Sequence, residues 1–281
     1  MKKLIKYATV VFLFAMLLNV CTLKAEAASK PLVRVSKYRM TMYEGAEVQI
    51  KQTGSAKKYT WWSNNPKVAS VSSKGIIKAK RKGTATIVLK SGNKKSRCIV
   101  TVNAKKTTKQ LVNTLENQIR DTKNISVSMY LGKIKYSNLV MRVSVNTSNK
   151  VQYVYLAGYG VYSTPDKIYW RDPETKKWYY DKNEEEIEDY FDLEDEMFSE
   201  DAKLKLVENR TFNKVKCATL KVVEDGMVAY YYFDLRDYSL IGYEEEGDDI
   251  DRTIYTYDLK STVKVPDSIV KSAKYKSLDE Y

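Results

Sequence analysis

The chain has 281 residues, a formal net charge of +13, and no histidine. The missing imidazole excludes Ser-His-Asp and Cys-His catalysis, the usual zinc sites and the commonest pH switch, and leaves two-carboxylate hydrolysis as the catalytic chemistry still open. The net charge conceals a division. Residues 29–106 carry 19 basic and two acidic side chains, residues 107–281 carry 25 basic and 32 acidic, and 19 of the 23 tyrosines lie after residue 106. Such a break predicts two domains, 28–103 and 110–281, with residues 104–109 as linker.

Residues 1–27 read as a secretory signal. Lys2, Lys3 and Lys6 form a basic start, Val10 to Leu18 are continuously apolar, and Ala25-Glu26-Ala27 is a small-x-small cleavage site. The apolar run is shorter than the roughly 20 residues of a membrane span, so no transmembrane segment is expected in the mature chain. Lipid anchoring at Cys21 is the alternative, and Val20 fits it poorly. The expected location is the cell envelope or the exterior. Cys98 and Cys217 remain after cleavage, each in a strand-like segment, and are expected as buried free thiols, with an inter-domain disulfide as the alternative.

From residue 32 to residue 103, short alternating segments are separated by turn signals. "EVQI" puts Val48 and Ile50 on one face. "KYTWW" leads into the turn "SNNP", and "KVASVS" into "SKG". "GTATIVL" sends Ala85, Ile87 and Leu89 one way, and "RCIVTV" does so with Cys98, Val100 and Val102. With no helical period, this spacing predicts an immunoglobulin-type β-sandwich. Trp61 and Trp62 must point to opposite faces of their strand, one inward and one outward. Gly75 and Gly83 suit turns that need positive φ.

These residues also carry a resemblance. The Gly45 turn, the tryptophan before Ser63-Asn64-Asn65-Pro66, Val68-Ala69-Ser70-Val71, Gly75, Gly83-Thr84-Ala85 and the closing Val-Thr-Val resemble a bacterial Ig-like domain of group 2, the intimin/invasin-like kind. The resemblance implies a spacer or adhesive unit of a bacterial surface protein, not an enzyme. The doubled tryptophan and the many lysines depart from the pattern. The run Lys78, Lys80, Arg81, Lys82 is a candidate site for an anionic cell-wall polymer or polysaccharide rather than nucleic acid; the competing reading is that these lysines guard exposed strand edges.

The second domain opens with "TTKQLVNTLENQIRD", in which Leu111, Leu115 and Ile119 recur at helical spacing and threonines stand ready to cap. "ISVSMYL" sets Ile125, Val127, Met129 and Leu131 against Ser126 and Ser128. "NLVMRVSV" does the same with Leu139, Met141, Val143 and Val145. Further strands, "KVQYVYL", "KIYWR" and "KWYYD", are aromatic on both faces. An acidic interruption follows, in which Ile187, Tyr190, Phe191, Met197 and Phe198 form a helical stripe. A solvated acidic helix explains it better than a calcium loop, for which the spacing is wrong. "KLKLV", "NKVKCATLKVV", "MVAYYYFDL", "YSLIGYEEE" and "RTIYTYDL" then continue an antiparallel meander.

The fold expected is therefore mainly β: an Ig-like sandwich, then an α+β domain with a large curved antiparallel sheet, a half-barrel with covering helices. The order of elements in 107–281 resembles the lipoprotein-carrier (LolA/LolB-like) fold. That resemblance implies an apolar cavity for a lipid, acyl chain or other hydrophobe, with Met129, Met141, Tyr153, Trp170 and Trp178 as candidate lining and the stripe from Ile187 to Phe198 as a lid. The same side chains could instead fill a closed core. No catalytic residue, metal or cofactor is expected. The leading expectation is a secreted, non-catalytic envelope protein; the alternatives are a purely adhesive or matrix protein and, below it, a carboxylate-dependent glycan hydrolase.

Overall fold

The structure, a computed structural model, describes residues 32–184, 197–246 and 252–278. The N-terminal part is a two-sheet sandwich. One sheet has the order β1 (Arg39–Tyr43), β7 (Lys94–Asn103), β6 (Gly83–Ser91), β3 (Thr60–Ser63). The other has the order β2 (Glu47–Gln49), β5 (Ile76–Ala79), β4 (Ala69–Val71). Pairing is antiparallel except for β1, which runs parallel to β7. Alternation does what it should: Ala85, Ile87 and Leu89 of β6 and Cys98, Val100 and Val102 of β7 are all buried. Trp61 turns inward and is half-buried, and Trp62 turns outward with 45% of its surface exposed. Gly75 and Gly83 have φ of 76° and 144°. A Cβ on Gly75 would stand 2.4 Å from the Ile50 carbonyl oxygen, so no other residue fits that turn.

Helix α1 (Thr108–Arg120) starts two residues inside the segment expected as linker. Thr107 caps it: its Oγ1 accepts from the Gln110 amide while the Gln110 side chain accepts from the Thr107 amide. Its buried stripe is Leu111, Leu115 and Ile119.

The large sheet has 12 strands made of two meanders. The first is β8 (Asn124–Leu131), β9 (Leu139–Asn146), β10 (Val151–Leu156), β11 (Tyr159–Ser163), β12 (Lys167–Arg171) and β13 (Trp178–Lys182). The second is β14 (Lys203–Phe212), β15 (Val215–Glu224), β16 (Met227–Asp234), β17 (Leu240–Glu246) and β18 (Thr253–Asp258). The two join where β18 pairs with β8. The last named elements among the described residues are helix α2 (Asp267–Ser272) and β19 (Lys274–Tyr275), which adds to β13 in parallel.

Register assigns every side chain to one of two faces. Leu206, Leu220, Tyr231, Tyr243, Tyr255, Met129 and Met141 stand opposite one another in successive strand pairs and so share one face. This is the helix face, because Leu220 and Phe233 pack into one core with Leu111 and Leu115. Tyr231, Tyr243 and Tyr255 stack along it, with ring centroids 5.0 Å and 4.3 Å apart. On the opposite face a second cluster gathers Tyr130, Leu139, Phe212, Cys217, Tyr230, Tyr232 and Ile254. Leu139 therefore departs from the expected grouping with Met141. The register shifts beside Met129 and Tyr130, one residue is left over on β9, and the parity of the strand reverses.

The sandwich is docked on the sheet domain. Its core and the helix face form one continuous cluster running from Val35 to Tyr238 and Leu240. Tyr238 is the pivot. Its ring meets Tyr43 edge-on at 4.5 Å, and its hydroxyl oxygen accepts from the Lys106 amide at 3.1 Å. The Gln118 side chain donates to the Tyr238 carbonyl and accepts from the Leu240 amide, both at 2.9 Å. The Tyr43 amide donates to the Leu235 carbonyl, and Glu47 lies 3.7 Å from Lys216.

Candidate functional site

A cavity of about 690 Å³ opens on the face of the sheet opposite α1. Its floor is Ser126, Ser128, Arg142, Ser144, Tyr153 and Tyr162, together with Thr256 and Asp258 of β18. Phe212, Asn213 and Val215, around the β14–β15 turn, and the segment 261–264 complete the lining. Local rules make this floor. Ser126 and Ser128 alternate with Val127 and Met129 on β8, so the serines face away from α1. Arg142 and Ser144 stand directly opposite them on β9.

The floor is polar and pre-ordered. Ser126 and Ser144 join hydroxyl to hydroxyl at 2.7 Å, and Arg142 donates from Nε to the Ser128 Oγ at 2.8 Å. Ser128 and Ser144 are each only 5% exposed. Among the described residues no ion pair engages Arg142, so the rest of its guanidinium fork remains available to an anion. Tyr153 and Tyr162 form an aromatic wall, centroids 4.4 Å apart, continued by Trp178 at 6.0 Å from Tyr162. Burial raises both phenol pKa values; at Tyr153 the neighbouring Tyr162 adds to this and Arg142 opposes it. Both tyrosines therefore stay protonated at neutral pH, with hydroxyls able to donate to a ligand.

The five residues expected to line an apolar pocket do not come together. Tyr153 lines the cavity, and Trp178 shares its face beside Tyr162. Met129, Met141 and Trp170 lie on the helix face: Met129 stands opposite Met141, and Trp170 follows from Met141 through Val143, Val154 and Val161. Of the expected lid, Ile187, Tyr190 and Phe191 lie outside the described residues. Met197 and Phe198 occupy a bend rather than a helix, and Phe198 is buried edge-on against Tyr231 at 5.5 Å. Of the basic run, Lys78 pairs with Glu47 at 3.2 Å. Lys80, Arg81 and Lys82 are exposed in the β5–β6 turn, where the Lys82 amide donates to Glu44 at 2.7 Å.

Missed at the sequence level were Ser126, Ser128, Arg142 and Ser144. The signal was present, because a lone arginine among serines on strands otherwise apolar is what a polar cavity floor looks like. Cys98 and Cys217 are free and buried, as expected, and burial pushes the Cys217 thiol up to about 12. Among the described residues no group of three or more Cys, Asp or Glu could hold a metal ion, and no helix is long and apolar enough to cross a membrane.

Residues 31–102 match the family of bacterial Ig-like domains, group 2. Intimin of Citrobacter freundii is 46% identical over 50 residues, which is 18% of this chain and 5% of intimin. The kappa-carrageenase of Pseudoalteromonas carrageenovora is 39% identical over 67 residues, 22% of this chain and 17% of that protein. The chain thus spans only a small part of these curated relatives. Among solved structures, an uncharacterized conserved protein from Thermus thermophilus aligns over 61% of this chain and all of its own, at 8% identity and a TM-score of 0.31. A LolA superfamily protein from Nitrosomonas europaea aligns over 59% of this chain and 97% of its own, at 10% identity and a TM-score of 0.23. The N-terminal module is thus of the kind found in bacterial surface and adhesion proteins.

Proposed function

We propose that this is a secreted, non-catalytic binding protein of the bacterial cell envelope. The Ig-like module serves as its spacer or adhesive unit. The sheet domain holds a small polar, anionic envelope ligand in the Arg142 cavity. One observation carries the ligand class: a half-buried arginine with no carboxylate partner among the described residues, hydrogen-bonded to a serine, on a floor mostly of hydroxyl groups beside two closely paired, tilted tyrosines. Such a set recognises a carboxylate or phosphate through the guanidinium and a sugar-like ring through the aromatic wall.

A second reading rests on the helix face. There Met129 and Met141 stand side by side next to the stacked Tyr243 and Tyr255, all half-buried, a surface suited to an acyl chain. Native mass spectrometry of the secreted protein tests both. A retained polar anion, lost in Arg142→Leu and kept in Met141→Gln, supports the cavity. A retained lipid with the opposite dependence supports the helix face and refutes the cavity. Turnover of a glycan by the purified protein would refute the non-catalytic reading altogether.

A further inference from the structure

The outward face of the four-stranded sheet in the Ig-like module is a basic surface around an exposed indole. Trp62, Val88 and Arg97 stand in one cross-strand row on β3, β6 and β7. Val88 points outward, yet it is only 3% exposed, so the side chains on either side lie over it. Trp62 itself keeps 45% of its surface in solvent. The next row is Thr60, Lys90 and Lys95, and beyond Arg97 come Ile99 and, on the edge strand, Arg39. Arg39, Lys90, Lys95 and Arg97 are all exposed, and β1, β3, β6 and β7 contain no Asp or Glu. Lys90 and Lys95 are direct partners across the β6–β7 ladder, an arrangement that costs stability through like-charge repulsion. A bound polyanion removes that cost.

From this geometry we infer that the Trp62 face, and not the Lys80–Lys82 turn, docks an acidic polysaccharide. A pyranose ring lays its C–H face on the indole, and carboxylates of neighbouring sugars pair with Arg97, Lys90 and Lys95. Neighbouring strands are about 4.8 Å apart, close to the length of one sugar residue along a glycan chain, so a glycan laid across the strands sets successive sugars over successive positions of one row, from Trp62 over Val88 to Arg97. The turn is a weaker candidate. It offers charge without an aromatic surface, and Lys78, which leads into it, is committed to Glu47.

The test uses the full mature chain and polygalacturonate oligomers, with affinity read by calorimetry and by indole fluorescence at low and high salt. Binding at low salt that weakens with salt is expected. Trp62→Ala should weaken it about tenfold, the loss of roughly one aromatic contact, and Trp62→Phe should restore most of it. A Lys95→Gln/Arg97→Gln variant, altered only at exposed positions, should lose affinity and flatten the salt dependence. Lys80→Gln/Arg81→Gln/Lys82→Gln should bind as the parent does. The inference is overturned if polygalacturonate does not bind, if Trp62→Ala binds unchanged, or if the turn variant is the one that loses affinity. Equal affinity for neutral dextran or single-stranded DNA overturns it as well. The same loss on Trp62→Ala in an Arg142→Leu background separates this surface from the cavity.

Discussion

Replacing Tyr238 tests whether the Ig-like module and the sheet domain behave as one cooperative body. The side chain is 1% exposed, its ring packs edge-on against Tyr43 at 4.5 Å, and its hydroxyl oxygen accepts from the Lys106 amide at 3.1 Å. Tyr238→Phe keeps the ring and removes only that acceptor, at a cost of about 1 kcal/mol. Tyr238→Ala also empties the ring's site and costs about 3–5 kcal/mol. Tyr238 sits at φ 60°, in the left-handed region, but tyrosine and alanine both carry a Cβ, so that backbone cost cancels in the comparison. For a chain of this size each kcal/mol lowers Tm by about 2–4 °C, so the expected shifts are about 2–4 °C for phenylalanine and about 6–20 °C for alanine. Differential scanning calorimetry should show one transition for the parent and, in the alanine variant, a split into two as the shared core is interrupted. A Tyr238→Ala protein that melts with the parent's single transition at the parent's temperature would refute the coupling.

Three other outcomes are expected. Gly242→Ala places a Cβ 2.3 Å from the Tyr255 carbonyl oxygen and 2.5 Å from Phe212 Cζ, so it should break the stack of Phe212 on Tyr232 and cost about 1–3 kcal/mol in urea unfolding. Iodoacetamide at mildly alkaline pH should leave Cys98 and Cys217 unmodified until the protein is unfolded, since both thiols are buried and both are raised in pKa by that burial. Burial raises Tyr231 and Tyr232 from 10.0 to about 12, and Tyr243 and Tyr257 further still. The folded state therefore holds these protons more tightly than the unfolded state. Their contribution to stability is complete below pH 10 and is lost as pH climbs from there through 12, so tyrosinate absorbance should rise for the exposed phenols first and for the buried ones only with unfolding.

The parts legible in the sequence were those in which one rule acts alone. Ala85, Ile87 and Leu89 alternate without interruption, and Leu111, Leu115 and Ile119 keep a helical period, so burial follows directly from spacing. The parity of the large sheet was harder to read, because irregular residues at Val140 and Ile241 reverse it, and only the second has a glycine, Gly242, beside it. The cavity was hidden for a related reason. Ser126, Ser128 and Ser144 look like a solvated face until the segment 261–264, more than 100 residues away in sequence, is laid alongside them. Docking was hidden too: Tyr43 ends a strand and Tyr238 sits in a turn, and neither position belongs to a periodic pattern that sequence reasoning can follow.

The parallel pairing of β1 with β7 has a mechanical meaning. Arg39 lies beside Ile99 and Tyr43 beside Asn103, so the two strands point the same way. Tension applied between the incoming end of β1 and the outgoing end of β7 therefore pulls along both strands in opposite directions. The hydrogen bonds of the pair are loaded in shear, all together, rather than peeled open one after another from an end. Beyond β7 the load passes at once into Lys106 and α1, which are pinned through Tyr238 and Gln118, and no slack tether separates the two bodies. A pull applied at those two points would therefore have to break the whole ladder at once before the module opens.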